Sequence, residues 1–224
     1  EALAKQNGIG TEEAGRIARY RAFEQVLTEY GGHGKIAVAH HKGDLAETVL
    51  FHLFRGSGIT GLTGMPPVRG NIIRPLLDVT REEIERFLLE KGRTWCIDST
   101  NEENTYTRNK LRNVVLPYAE KEICPQAGMH VAGAAKELTQ IKEMLDEMTA
   151  ETLKETVVFE SDDEAAVLTE PFREKHEVIR KQLILRVLEH LTPARRDIGS
   201  VPVNDVLSLF ETENGKQSHL PHRL

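Results

Sequence analysis

Cysteine is scarce in this chain: 224 residues hold two, Cys96 and Cys124. Two isolated thiols build no disulfide framework, and reduced thiols in a cytosolic protein are the expectation. Long apolar runs are missing as well. No segment approaches the length of about 20 apolar residues that crosses a bilayer. The opening residues lack the apolar stretch of a signal peptide, so no membrane partner and a cytoplasmic location are expected. Positive charge is in short supply, with 29 basic against 35 acidic side chains and a net charge of -6. That balance gives no support to a general affinity for nucleic acid, and such a role needs a local basic surface or a part outside this chain. What remains is the composition of a soluble globular protein, 39% hydrophobic and 29% charged. The length suits one large domain or two smaller ones.

The chemistry that is present gathers in one run. The apolar segment Lys35-Ile-Ala-Val-Ala39 ends in His40 and His41. Asp44, Glu47 and Thr48 follow within eight residues, and then comes Arg55-Gly56-Ser57-Gly58. Charged groups where a buried strand gives way to a helix are what a ligand site in an open α/β sheet requires, because that crevice lies at the carboxyl ends of the strands.

Around this run the pattern predicts the following elements. A helix opens with Thr11 as N-cap and turns Ala14, Ile17, Ala18, Phe23, Val26 and Leu27 to one side. After the Gly31-Gly32 break, 36–39 reads as a strand and 44–54 as a helix. The glycine- and proline-rich stretch 56–67 reads as loop. Ile72-Ile73 is a second strand, ending at Arg74-Pro75-Leu76-Leu77. Thr80 and Glu83 form a capping box for the next helix. Asp98-Ser-Thr-Asn101 reads as a turn. Arg108 and Arg112 lie four apart, so on a helix they share a face, where they fork around phosphates or carboxylates or form a solvated edge. Further on come a long helix at 131–157, a strand at Val157-Val-Phe159 and an acidic turn at Asp162-Asp-Glu164. An amphipathic helix carries Ile179, Leu183, Ile184, Val187, Leu188 and Leu191. A linker at 192–202 and a short helix at 203–210 end the pattern. Nothing in this second block resembles a catalytic constellation.

Five motifs in order carry a resemblance. They are His-His-x-x-Asp-x-Ala-Glu-Thr at 40–48, Arg-Gly-Ser-Gly-x-x-Gly-Leu-x-Gly-Met at 55–65 and Arg-Pro-Leu-Leu at 74–77. Trp-x-x-Asp-Ser-Thr-Asn at 95–101 and Arg-Asn-x-x-Arg at 108–112 complete the set. Together they resemble the tRNA(Ile)-lysidine synthetase family of ATP pyrophosphatases, over about residues 9–118. The resemblance implies an α/β fold with part of a doubly wound, Rossmann-like parallel sheet of the adenine nucleotide alpha hydrolase type, followed by a mostly helical linker and small domain. The implied division is 1–118, 119–160 and 161–224.

The implied activity is ATP-dependent ligation of lysine to the wobble cytidine of tRNA(Ile). The cytidine is adenylated, and the ε-amine of free lysine then displaces AMP. ATP and Mg²⁺ are the implied cofactors, with tRNA(Ile) and free lysine as partners. A cationic lysine needs a carboxylate, for which Asp44 stands first and Glu47 second. Glu47 also reads as a helix-dipole partner. His40 matches a family position beside nucleotide and lysine, and His41 reads also as a mere helix cap. By the same resemblance, Asp44, His40 and Arg112 are the catalytic candidates. Arg16, Arg19, Glu47, Arg108 and Asn109 would bind lysine or tRNA, and His40, Arg55 and Gly56 would bind ATP. No metal ligand is assigned.

Two departures stand out. The family's phosphate loop, Ser-Gly-Gly-x-Asp-Ser, does not occur in this chain, so the expectation is the middle of a longer enzyme that lacks its first strands. Gly43 and Leu45 stand where the family usually has aspartate and glutamine. The open readings are a fragment of a working synthetase, a degenerate non-catalytic relative, and a tRNA-thiolation enzyme. The last wants flanking cysteines, which this chain does not supply. A sheet lacking strands exposes an edge, so the chain is also expected to pair with a second copy, as a dimer.

Overall fold

The computed structural model describes residue 8 and residues 10–96, 106–159, 166–192 and 198–210. The expected turns at 98–101 and 162–164 lie outside the described residues, as do residues 193–197 of the expected linker at 192–202, of which 200–202 are helical instead. The chain divides into two compact units, one of Glu1–Ser57 with Gly61–Ala135 and one of Gly58–Thr60 with Lys136–Leu224.

The first unit opens with helix α1, Thr11–Glu29. Its N-cap is Gly10, not Thr11 as the pattern predicts, and Gly10 makes no side-chain bond. Ala14 is buried and Ile17, Phe23 and Leu27 are half-buried, while Ala18 and Val26 are exposed, so the apolar face is narrower than expected. Gly31 and Gly32, at φ 80 and 75, end the helix in a conformation that L side chains avoid.

Strand β1, Ile36–Ala37, pairs in parallel with β3, Ile72–Ile73, and β2, Val68–Arg69, pairs antiparallel with β3. The order is β1-β3-β2. β2 and β3 form a hairpin because Gly70, at φ 59, and Asn71 make a two-residue turn. The described strands are thus short and of mixed direction.

Helix α2, Lys42–Phe54, begins two residues before the predicted start. Leu45, Ala46, Glu47, Thr48 and Val49 are all buried, so its first turns are enclosed on every side. The stretch expected to be loop contains a one-turn helix, α3, Ile59–Leu62. Its Gly61 carbonyl lies 2.6 Å from His52 Nδ1, a tie back to α2 that the Gly/Pro composition hides. Gly64, at φ 70, sits so close to α2 that an added Cβ would stand 2.5 Å from Leu45 Cδ1 and 3.0 Å from Val49 Cγ2. Leu45 and Val49 form a core cluster with Leu77, Ala132 and Ala135.

Helix α4, Arg81–Glu90, has the expected capping box. Glu83 N donates to Thr80 Oγ1 at 3.3 Å, and Thr80 N donates to Glu83 Oε2 at 2.7 Å. Next come α5, Thr107–Lys110, a π-helical stretch, Leu111–Val115, and α6, Leu116–Glu122. Pro117 in α6 lacks the N–H that would bond the Asn113 carbonyl, so the ladder is interrupted beside the widened stretch.

Helix α7, Ala127–Thr156, starts in the first unit and continues in the second. In the second unit β4, Val157–Phe159, and β5, Ala166–Leu168, form an antiparallel hairpin, of which the pattern showed only the first strand. Helices α8, Pro171–Glu174, α9, Glu177–Leu191, and α10, Ser200–Leu209, follow. The buried core contains Phe172, Ile179, Leu183, Ile184, Val187, Leu188, Val203 and Leu207. The apolar spacing predicted for α9 is the face that fills it.

Candidate functional site

The site is built at the N-terminus of α2. His41 is the N-cap: its Nδ1 accepts from Gly43 N at 3.1 Å, while its own N–H donates to Asp44 Oδ2 at 2.9 Å. This reciprocal box satisfies backbone donors that a phosphate would otherwise take. It also accounts for Gly43, because a Cβ there would lie 2.9 Å from His41 Cε1, inside van der Waals contact. Leu45, the other departure from the family pattern, is a core residue against Gly64. Both departures therefore have local packing causes.

The second oxygen of Asp44 meets a residue far along the chain. Arg112, in the π-helical stretch, donates through Nη2 to Asp44 Oδ1 at 2.8 Å. It also grips Glu47 through both carboxylate oxygens, Nε to Oε1 at 2.6 Å and Nη2 to Oε2 at 2.9 Å. The Glu47 side chain is only 5% exposed. Burial pushes its carboxyl above the usual value, against the pull of Arg112. Burial opposes the Arg112 charge, but the bonds and charges of Glu47 and Asp44 outweigh it and raise its pKa. Glu47 thus stands in a buried ionic contact with Arg112, a partner outside the two roles read from the sequence. Arg112 forks around carboxylates of its own chain.

Arg112 reaches Asp44 and Glu47 on α2, and Arg108, four residues earlier and exposed, acts by its charge on His40 and Glu47. The π winding begins between the two.

His40 ends the strand segment and is half-buried. Arg74, 6% exposed, donates from Nε to His40 Nδ1 at 3.3 Å and from Nη1 to the Pro66 carbonyl at 2.6 Å. Burial lowers the His40 pKa, helped by the charges of Arg74, Arg108 and Arg19 and opposed by Asp44. Arg74 was passed over as a site residue. The available signal was an arginine directly after an apolar strand pair, a position where only a bonded charge is buried.

The remaining candidates are scattered. Arg16 bonds Glu13 at 2.6 Å and lies over the Tyr20 ring. Asn109 is half-buried. Arg55 and Gly56 are not beside His40. Arg55 is the C-cap of α2 and lies 5.0 Å over the Phe51 ring. Gly56, at φ 73, donates to the Leu53 carbonyl as the helix ends. Thirteen residues of helix separate this end from His40, about 20 Å at 1.5 Å per residue. The two ends of α2 therefore do not form one nucleotide pocket, and a helix C-terminus repels phosphate.

The guanidinium groups of Arg19, Arg74 and Arg108, whose charges all reach His40, fit an anionic group there. Mg²⁺ fits less well. Asp44 and Glu47 are both held by Arg112, and among the described residues no set of three metal-ligating side chains converges.

The chain belongs to the PP-loop domain family, a class of ATP-binding α/β domains that matches residues 2–119. Its curated relatives are more particular. Proteins named tRNA(Ile)-lysidine synthase are 37% identical in Caldanaerobacter subterraneus subsp. tengcongensis, over 99% of this chain and 47% of the relative. In Bacteroides thetaiotaomicron the identity is 36% over 96% of this chain and 47% of the relative. In Borreliella afzelii it is 48%, over 51% of this chain and 26% of the relative. The chain thus spans about half the length of the first two. No helix among the described residues is long and apolar enough to cross a membrane.

Proposed function

We propose that this chain is part of a tRNA(Ile)-lysidine synthase. The enzyme would join the ε-amine of free lysine to the wobble cytidine of tRNA(Ile), after ATP has adenylated that cytidine. One observation carries the reading beyond the relatives' name. Asp44, Glu47 and Arg112 belong to two motifs up to 68 residues apart, yet they meet in one ionic cluster beside His40. The cluster holds two carboxylates against one guanidinium, so it keeps a net negative charge suited to a lysine ammonium. Arg19 and Arg108, near His40, suit an anionic phosphate or the carboxylate of lysine. Arg16 and Asn109 are proposed as further contacts to lysine or RNA.

ATP would supply the activated leaving group, held near His40. Arg55 and Gly56, at the other end of α2, are left to contacts outside that pocket. Mg²⁺ is proposed to accompany ATP, with no described residue assigned to it. The three short strands would belong to a wider doubly wound parallel sheet in a domain of 1–118, followed by a linker at 119–160 and a second domain from 161. A cytoplasmic location and a dimer that covers the β1 edge are part of the same proposal.

The test is ATP- and Mg²⁺-dependent transfer of labelled lysine to tRNA(Ile) by the complete enzyme that contains this chain. Transfer is expected, with a loss of at least 100-fold in Asp44→Asn. A complete, folded enzyme that transfers no lysine would overturn the reading.

A further inference from the structure

His40 meets only one hydrogen-bonding partner among the described residues, and that partner is a buried cation. Arg74 Nε carries a hydrogen under all conditions a folded protein meets, so its 3.3 Å contact with His40 Nδ1 has one polarity. Nδ1 accepts. A neutral imidazole that accepts at Nδ1 must carry its proton on Nε2. Arg74 is itself held by the Pro66 carbonyl at 2.6 Å, and its backbone N–H donates to the Pro67 carbonyl at 2.8 Å. The donor is therefore anchored to the 64–67 turn, which Gly64 presses against α2.

The four charges that bear on His40 come from four places: Asp44 on α2, Arg74 after β3, Arg108 on α5 and Arg19 on α1. Three are positive. Burial and these three cations disfavour a positive charge on the ring, and a ring that remains neutral with Nε2–H and Nδ1 bonded to Arg74 is a hydrogen-bond donor and not a proton acceptor.

We propose that Arg74 is a positioning residue that fixes His40 as a neutral Nε2–H donor to an anionic oxygen of the bound substrates. This assignment rests on the synthase reading for the identity of the oxygen, which is either a nucleotide phosphate or the lysine carboxylate. It removes His40 from the groups able to take the proton of the lysine amine. The ring holds its own proton throughout, and the oxygen gains a donor without proton transfer.

Two measurements test this. The first needs no activity: nitrogen NMR of the His40 ring in the intact protein, assigned by its loss in His40→Gln. The expected ring is neutral at pH 7, protonated at Nε2, and titrates below 6.5. Arg74→Gln should raise the midpoint and populate both tautomers. Arg74→Lys, a milder change if the glutamine variant does not fold, should keep the midpoint low and loosen the tautomer. A ring protonated at Nδ1, or one indifferent to both substitutions, overturns the role of Arg74.

The second is lysine transfer by the complete enzyme. The amide N–H of Gln reaches where Nε2–H stands, so His40→Gln should stay within about 10-fold of the parent. His40→Ala should fall by the roughly 100-fold or more that marks a lost catalytic contact. A rise in KM for ATP in His40→Ala identifies a phosphate oxygen, and a rise for lysine identifies the carboxylate. If His40→Gln falls as far as His40→Ala while folded, the donor role is wrong. If the parent enzyme transfers no lysine, the synthase reading fails, while the NMR result still decides whether Arg74 fixes the ring.

Discussion

Arg112 shows how one side chain joins stability to chemistry. It is the counter-charge for Glu47, whose side chain is 5% exposed, and for Asp44. Removing one partner of a fully buried pair costs about 3–5 kcal/mol. Arg112 itself is 31% exposed, so water recovers part of that, and Arg112→Ala should cost about 2–3 kcal/mol in urea unfolding. Adding Glu47→Gln should return most of the loss, because the stranded charge is then gone. A double variant no more stable than Arg112→Ala would show that packing, not charge, holds the segment. Asp44 and Glu47 stood out in the sequence as candidate lysine contacts, with a helix-dipole role also open for Glu47. Their pairing with Arg112 was not legible. Sixty-five residues separate Arg112 from Glu47, and no local pattern encodes that meeting.

The elements were legible where local rules suffice. The capping box of α4, the His41 cap of α2 and the spacing of α9 follow from side chains within a turn or two of one another. Elements that depend on tertiary contacts were missed: α3, held by His52, and β5, which exists only as the partner of β4. The π-helical stretch also hid from a reading in α-helical steps. Glycines give a sharp test at this scale. Gly64 and Gly70 both have positive φ, but only Gly64 lies against a neighbouring helix. Gly70→Ala should cost the backbone strain alone, about 1–2 kcal/mol. Gly64→Ala adds a clash with Leu45 and Val49, and should cost about 1–3 kcal/mol more. Equal losses in thermal unfolding would mean that the 64–67 turn is not packed on α2.

For the whole molecule, charge is distributed unevenly. The residues up to Ala135 carry 17 basic and 17 acidic side chains, and those after it carry 12 and 18, so the second part holds the entire net charge of -6. On the proposed reading, phosphate contacts would fall in the first unit, at exposed residues such as Arg108. Binding of tRNA by this chain should weaken steeply with salt, and Arg108→Gln should reduce the slope of log K against log salt by about 1. Lys154→Gln, exposed in the second unit, should leave that slope unchanged. The reverse result would place the RNA on the second unit. By itself the sequence determined the charge balance, the capping box of α4 and the order of the motifs, because each depends on composition or on neighbours in the chain. The tertiary structure alone decided that Arg112 closes on Glu47 and Asp44, that Arg74 reaches His40, and that Arg55 and Gly56 stand apart from both. Such meetings depend on how elements distant in sequence pack, and local spacing does not contain that information.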